Sequence, residues 1–155
     1  MPSRRDQIKM SDDEVREFLA AHKVMTVATI GPSGRPHLMP LWYVPDGMVL
    51  RGWTYAKSQK AKNLERDPRA TLQVEDGVQY HELHGVMLEC DVDVERDPAE
   101  VEKLGVALFT RYGDGGAPGP EVREMVAAQA PKRVALTFHP TRVVTWDHRK
   151  LGGAY

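Results

Sequence analysis

The chain has one cysteine, Cys90, in 155 residues. A single thiol closes no intramolecular disulfide, and a cysteine-rich zinc site is excluded with it. Cys90 lies in a stretch that reads as a strand, where an inert thiol is the ordinary outcome. A surplus of charge of one sign is also missing: 21 basic residues face 22 acidic ones, a formal net charge of -1. A protein that grips nucleic acid through its phosphates normally carries a basic surplus, so no nucleic-acid partner is expected. No apolar run reaches the length of a membrane span, and residues 1–10 are polar and charged instead of signal-like. No membrane partner is expected, and a cytoplasmic enzyme or binding protein is the class that fits. The βαβ alternation of a dinucleotide-binding domain is absent. So are a Gly-x-Gly-x-x-Gly after a strand, a Walker loop and a nucleophile elbow.

What is present is a concentration of lysine at one point. In Thr54-Tyr55-Ala56-Lys57-Ser58-Gln59-Lys60-Ala61-Lys62-Asn63-Leu64, Ser58 is a good N-cap. Gln59 to Arg66 then make about two helical turns before Asp67-Pro68 stops them. The first turn of a helix has unpaired amides and a partial positive charge, so cations there are electrostatically misplaced. A lysine before the cap and two behind it point to a bound anion, most simply a phosphate ester. A solvated basic turn with no ligand is the other reading of the same residues. A local cluster in a near-neutral chain favours a small anionic ligand over a polymer.

The rest reads as one domain, residues 1–155, with a polar arm at 1–10 and a tail at 147–155. Ser11-Asp12-Asp13-Glu14 is a capping box ahead of Val15, Phe18 and Leu19, giving an amphipathic helix that ends near His22. Val24 to Ile30, Pro36 to Val44 and Met48 to Thr54 read as strands joined by tight turns, hence as an antiparallel meander. Ala70 to Glu75 is a further strand. Tyr80 to Val94 reads as a long one, with Gly85 marking a bulge or bend. Asp97 to Tyr112 and Glu121 to Gln129 read as helical, and Val134 to Phe138 and Arg142 to Trp146 as the last strands. The expectation is a mainly β (α+β) domain of six or seven antiparallel strands with three short helices.

His81 and His84 invite a metal reading, but on a strand an odd separation points them to opposite faces, so no metal site is expected. Trp42, Tyr43, Trp53 and Tyr55 sit on the strands leading into the lysine turn. A pair of them flanking a planar ring, and a barrel core with a dimer interface, are both open readings. Trp146-Asp147-His148-Arg149-Lys150 is either a lid or interface segment, or a solvated charge run.

Together these residues resemble the pyridoxamine 5′-phosphate oxidase-like split β-barrel proteins. The likeness is carried by Gly34-Arg35-Pro36 entering a strand, Lys57-Ser58-Gln59-Lys60, Asn63-Leu64-Glu65-Arg66-Asp67-Pro68-Arg69-Ala70, and Leu83-His84-Gly85-Val86. Among the branches, the chain is most similar to the flavin/deazaflavin-dependent oxidoreductases, which include coenzyme F420-dependent reductases. The resemblance implies a homodimer with two cofactor sites at the subunit interface. It implies a phosphate contact at Lys60, aided by Lys57 and Ser58, and a cofactor ring bordered by Pro40, Leu41, Trp42 and Thr54. Gln79 and Tyr80, and Trp146 with them, would reach the partner's cofactor. Lys62, with Arg66 and Arg69 nearby, suits a cofactor carrying more negative charge than FMN, which favours F420 with FMN as the alternative. The implied activity is hydride transfer from reduced deazaflavin to a small conjugated organic acceptor, with Tyr43 and His37 as candidate proton donors. A flavin- or haem-binding carrier or sensor is the non-catalytic alternative. The closing Arg-x-x-Pro-type end of true pyridoxamine phosphate oxidases is absent, which disfavours oxidation of pyridoxamine phosphate itself.

Overall fold

The computed structural model describes residues 1–153. The helices are α1 (Arg4–Gln7), α2 (Asp12–Ala21), α3 (Gln59–Arg66), α4 (Pro98–Tyr112) and α5 (Pro120–Gln129). The strands are β1 (Val24–Ile30), β2 (Pro36–Trp42), β3 (Val44–Asp46), β4 (Val49–Tyr55), β5 (Arg69–Asp76), β6 (His84–Glu95) and β7 (Arg133–Asp147). All seven strands belong to one antiparallel, coiled sheet in the order β2-β1-β5-β6-β7-β4-β3, a split-barrel arrangement. Five α-helices stand where three short ones are expected. One is in the polar arm, capped by Ser3, and α4 alone runs 15 residues. The arm is tied to the sheet, with Ile8 O accepting from the Asp147 amide at 2.7 Å and the Met10 amide donating to Thr145 Oγ1 at 3.0 Å.

Alternation along the strands builds the interior. Met25 and Val27 of β1, Leu72 and Val74 of β5, Val86 and Leu88 of β6, and Leu136 and Phe138 of β7 are buried with Val15, Phe18 and Leu19 of α2. At ~25 cal/mol per Å² of apolar area removed from water, each such side chain contributes about 1.5–3 kcal/mol, which offsets the ordering of the strands. A second cluster, Val101, Leu104 and Leu108 with Ala130 and Ala135, seats α4 on the outside of the sheet. Gly105 makes that seat close, because a Cβ there would lie 2.5 Å from the Trp53 ring.

Three expectations are corrected. The meander breaks after β2: β4 pairs with β7 and β3, at the other end of the sheet order. Between β2 and β3, Tyr43 leaves the ladder and is buried completely. Its hydroxyl donates to Leu19 O at 2.7 Å, and its amide donates to the Tyr112 hydroxyl at 2.9 Å. Second, Tyr80 to Glu82 form a 3-10 turn, and β6 starts only at His84. The Gln79 amide is held by Glu82 Oε2 at 3.3 Å, which keeps the turn tight before the strand can begin. Third, Gly85 marks no bulge and pairs regularly with Glu75 and Trp146. A Cβ at Gly85 would lie 2.6 Å from Trp146 Cζ2, so the glycine makes room for an indole. The register shift falls at Glu89/Cys90, opposite Pro140 and Arg142 in a single continuous β7.

Candidate functional site

The lysine turn joins the end of β4 to the sheet's interior. Ser58 caps α3, its Oγ accepting from the Ala61 amide at 3.1 Å and from Thr54 Oγ1 at 3.2 Å. The helix is fixed from beneath by Asn63, fully buried, whose Nδ2 donates to Thr29 Oγ1 of β1 at 3.0 Å. Lys60, Ala61, Asn63 and Leu64 form the buried face, so geometry puts a lysine where a hydrophobe is ordinary. Lys60 is 6% exposed, and its ammonium reaches Thr54 Oγ1 at 3.4 Å. Among the described residues no carboxylate pairs with it, and burial alone pulls its pKa below the ordinary lysine value. A buried ammonium with one long bond to a neutral hydroxyl is under-solvated, and an anion relieves that condition.

Lys57 and Lys62 lie exposed on either side of it. The two arginines do not join them. Arg69 is bidentate on Asp67, with Nε–Oδ1 3.0 Å and Nη2–Oδ2 2.7 Å, and holds that carboxyl down at about 2. Arg66 donates to the Ile30 carbonyl and to Asn63 Oδ1 at 3.4 Å. The positive charge of Arg69 is therefore matched within the chain, whereas Arg66 bonds only neutral oxygens and keeps its charge.

Pro40, Leu41 and Trp42, together with Val24, Trp53 and Arg133, line a hollow of about 360 Å³. It lies at the seam between β2 and β4, which meet without sharing a ladder. A Cβ on Gly52 would sit 2.9 Å from both Leu41 Cδ2 and Trp42 O, so the glycine lets β2 close onto β4. Trp53 lines the hollow and the next residue, Thr54, meets Lys60, so the hollow and the cation lie on opposite faces of one strand. The aromatics are already engaged with the chain itself. The Arg133 guanidinium lies 4.4 Å from the Trp53 ring centre and 4.0 Å from that of Tyr55, and Trp42 stacks on Tyr112 at 4.2 Å. Sequence reasoning missed Arg133 and Tyr112, because only the β4–β7 register and the packing of α4 bring them there.

Tyr43 is withdrawn as a proton donor. Its hydroxyl is shut in the core between the Leu19 and His22 carbonyls, and burial raises its pKa to about 12. His37 lies on β2 opposite Thr29, and its Nδ1 is a buried polar atom with no hydrogen-bond partner among the described residues.

Gln79, Tyr80 and Trp146 fall elsewhere. Gln79 and Tyr80 follow the far end of β5, whose eight residues extend roughly 23 Å from the α3 end. Tyr55 pairs with Arg133 at the start of β7, whereas Trp146 lies near the end of that strand, over Gly85. One chain thus separates Thr54, Lys57, Ser58, Lys60 and Lys62, at the α3 end, from Gln79, Tyr80 and Trp146, while Pro40, Leu41 and Trp42 pair with Thr26, Met25 and Val24 on the Gln73 side of β1. The tail is docked, with Arg149 bidentate on Asp147 at 2.9 Å and Lys150 on Glu14 at 2.9 Å. Residues 154–155 of the expected tail lie outside the described residues. No helix among the described residues is long and apolar enough to cross a membrane.

A single coiled antiparallel sheet in this strand order defines a split-barrel protein, and within it the buried lysine at the start of α3 lacks a carboxylate partner among the described residues. The family model described as pyridoxamine 5′-phosphate oxidase matches residues 11–147, and the chain belongs to that family. Among solved structures it is similar to a conserved hypothetical protein from Mycobacterium tuberculosis, at 41% identity over 97% of this chain and 93% of that one, TM-score 0.87. It is also similar to an F420 reductase, at 25% identity over 78% and 88% of the two chains, TM-score 0.60. An FAD-binding protein from Mesorhizobium loti, at 18% identity over 88% and 94%, TM-score 0.65, shares the fold.

Proposed function

We propose that this protein is an oxidoreductase that binds coenzyme F420 and reduces a small conjugated organic acceptor. The observation that carries the reading is Lys60, an ammonium 6% exposed with no carboxylate partner among the described residues. Its surroundings fit a cofactor phosphate: the Ser58 and Thr54 hydroxyls stand beside it, and Lys57 and Lys62 add charge without blocking access. Pro40, Leu41 and Trp42 border a hollow on the other face of β4 that suits the rim of a planar ring. When bound, the deazaflavin supplies the hydride chemistry. The chain's own part is to neutralise the phosphate through Lys60, to orient the ring against β2, and to keep water from it with Trp42 and Trp53. His37 is the remaining candidate for delivering a proton, its Nδ1 having no hydrogen-bond partner among the described residues.

A homodimer belongs to this proposal. Val24, Leu38, Met39 and Trp42 are exposed apolar residues of β1 and β2, and covering them with a second copy removes them from water. The same copy would bring Gln79, Tyr80 and Trp146 to the first chain's lysine turn. An FMN-dependent oxidoreductase is the second reading, favoured by one finding: Arg69 is neutralised by Asp67, which lowers the charge available to a longer anionic tail.

Titration of the purified protein with F420 and with FMN, followed by turnover in a reduced-F420 regenerating system, tests both. Preferential F420 binding with turnover supports the proposal. Tight FMN binding alone transfers it to the FMN reading, and binding without turnover on a broad acceptor panel leaves a carrier or sensor. Dilution to monomer should abolish cofactor binding; full affinity in a monomer sinks the shared-site arrangement.

A further inference from the structure

His22, Asp76 and His84 come from three separate places: the residue after α2, the last residue of β5 and the first of β6. Their ligand atoms all lie within 4.8 Å of one another. His22 Nε2 is 2.9 Å from Asp76 Oδ2, and His84 Nε2 is 3.9 Å from the same oxygen. The other nitrogen of each ring is committed. His22 Nδ1 lies 2.8 Å from the Phe18 carbonyl, and His84 Nδ1 lies 2.7 Å from the Glu82 carbonyl. A carbonyl only accepts, so both Nδ1 atoms carry hydrogen. In the neutral rings, both Nε2 lone pairs then face a carboxylate oxygen. That arrangement is repulsive unless a metal ion, or a proton on Nε2, stands between them.

We propose that His22, Asp76 and His84 bind a divalent transition-metal ion of the zinc class. Two imidazole nitrogens and a carboxylate oxygen are a donor set suited to that class, and water completes the coordination. The backbone carbonyls behind each Nδ1 fix the tautomer and the ring orientation, as supports behind metal-bound histidines do. At metal–ligand arms of ~2.1 Å, tetrahedral ligand atoms stand roughly 3.4 Å apart, so the side chains need shifts of about an ångström at most. The Phe18 ring stacks against His22 at 3.9 Å and meets His84 edge-on at 5.4 Å, making an apolar wall on one side. The other charged groups nearby are Asp147 and Arg149, which are paired with each other, so Asp76 leaves a net negative charge to receive the ion. His81, three residues before His84, lies on the 3-10 turn and is exposed, outside the cluster. The side chain of Asp76 is 56% exposed and gives the ion a way in. Its consequence is mechanical, a clamp between the end of α2 and the β5–β6 end of the sheet.

The site is tested on the tag-free full chain, stripped with a chelator and titrated with Zn²⁺ by calorimetry and with Co²⁺ by visible absorption. One ion per chain is expected, with a Co²⁺ d–d band of tetrahedral type and a melting temperature raised by several degrees in Zn²⁺. Asp76→Asn keeps an acceptor for the Gly77 amide and preserves the turn while removing the charge. It should weaken binding roughly tenfold or more, as should His84→Gln. His81→Gln should bind as the wild type does. Absence of saturable Zn²⁺ binding overturns the proposal in favour of a plain His22–Asp76 ion pair. So does binding that survives both Asp76→Asn and His84→Gln. Neither result depends on the cofactor.

Discussion

Replacing Lys60 with methionine moves stability and binding in opposite directions if the lysine exists for an anion. The wild-type ammonium is 6% exposed and has one 3.4 Å bond, to a neutral hydroxyl. A buried charge without a partner costs several kcal/mol before relaxation, and removing it in favour of an apolar chain of similar length recovers about 1–3 kcal/mol. With an unfolding entropy of ~2.1 cal/mol/K per residue, about 0.33 kcal/mol/K for this chain, the melting temperature should rise by about 3–9 °C. The lowered pKa gives an independent check. Between the depressed native value and the ordinary 10.5, the unfolded chain binds more protons than the folded one. Stability of the wild type should therefore climb with pH through that window and level off above it, and Lys60→Met should lack the climb. Cofactor affinity should fall meanwhile by about 1.5–3 kcal/mol, or about 10- to 150-fold. Scanning calorimetry of cofactor-free protein from neutral to alkaline pH, with fluorescence titration of the same two proteins, measures all three quantities. A variant that melts lower than the wild type and binds as well would refute the reasoning, because Lys60 would then be a structural residue satisfied by Thr54.

Tyr43→Phe should lower stability by about 0.5–1.5 kcal/mol in urea unfolding, since it removes the hydroxyl's bonds to the Leu19 and His22 carbonyls but leaves both their bonds from Arg111, while kcat stays unchanged. Lys57→Ala and Lys62→Ala should each weaken F420 binding more at low salt than at high salt, whereas Arg69→Gln should leave it unchanged, as its charge is already matched by Asp67. Asp147 is held below the ordinary carboxylate range by its hydrogen bonds from Arg149. Its contribution is present above the unfolded value of 3.8 and lost as pH falls through the lower native one, so Asp147→Asn should flatten the acid limb of a pH–stability profile.

The lysine turn was legible because its parts are contiguous. A cap, three lysines, an Asn-Leu pair and an Asp-Pro stop all lie within one short run, and capping and helix polarity act over the same distance. Most strand limits were legible for the same reason, each being set by a local turn. The fate of the meander was not. Nothing in the pattern of Pro36 to Thr54 says that Tyr43 turns into a pocket between α2 and α4, and that β4 then pairs with β7.

The sequence alone therefore determined the local chemistry: where α3 starts, that its first turn is rich in cations, and which β-rich segments alternate. Tertiary structure alone decided which of those charges stay available. Lys60 is stranded in the interior, Arg69 is taken by Asp67, and Arg133 is brought under Trp53 and Tyr55. It also separated Gln79, Tyr80 and Trp146 from the lysines, and gathered His22, Asp76 and His84 at the opposite end of the sheet. The physical reason is range. Caps and turns are settled by neighbours within a few residues, whereas burial and partnership depend on strand pairings between residues far apart along the chain.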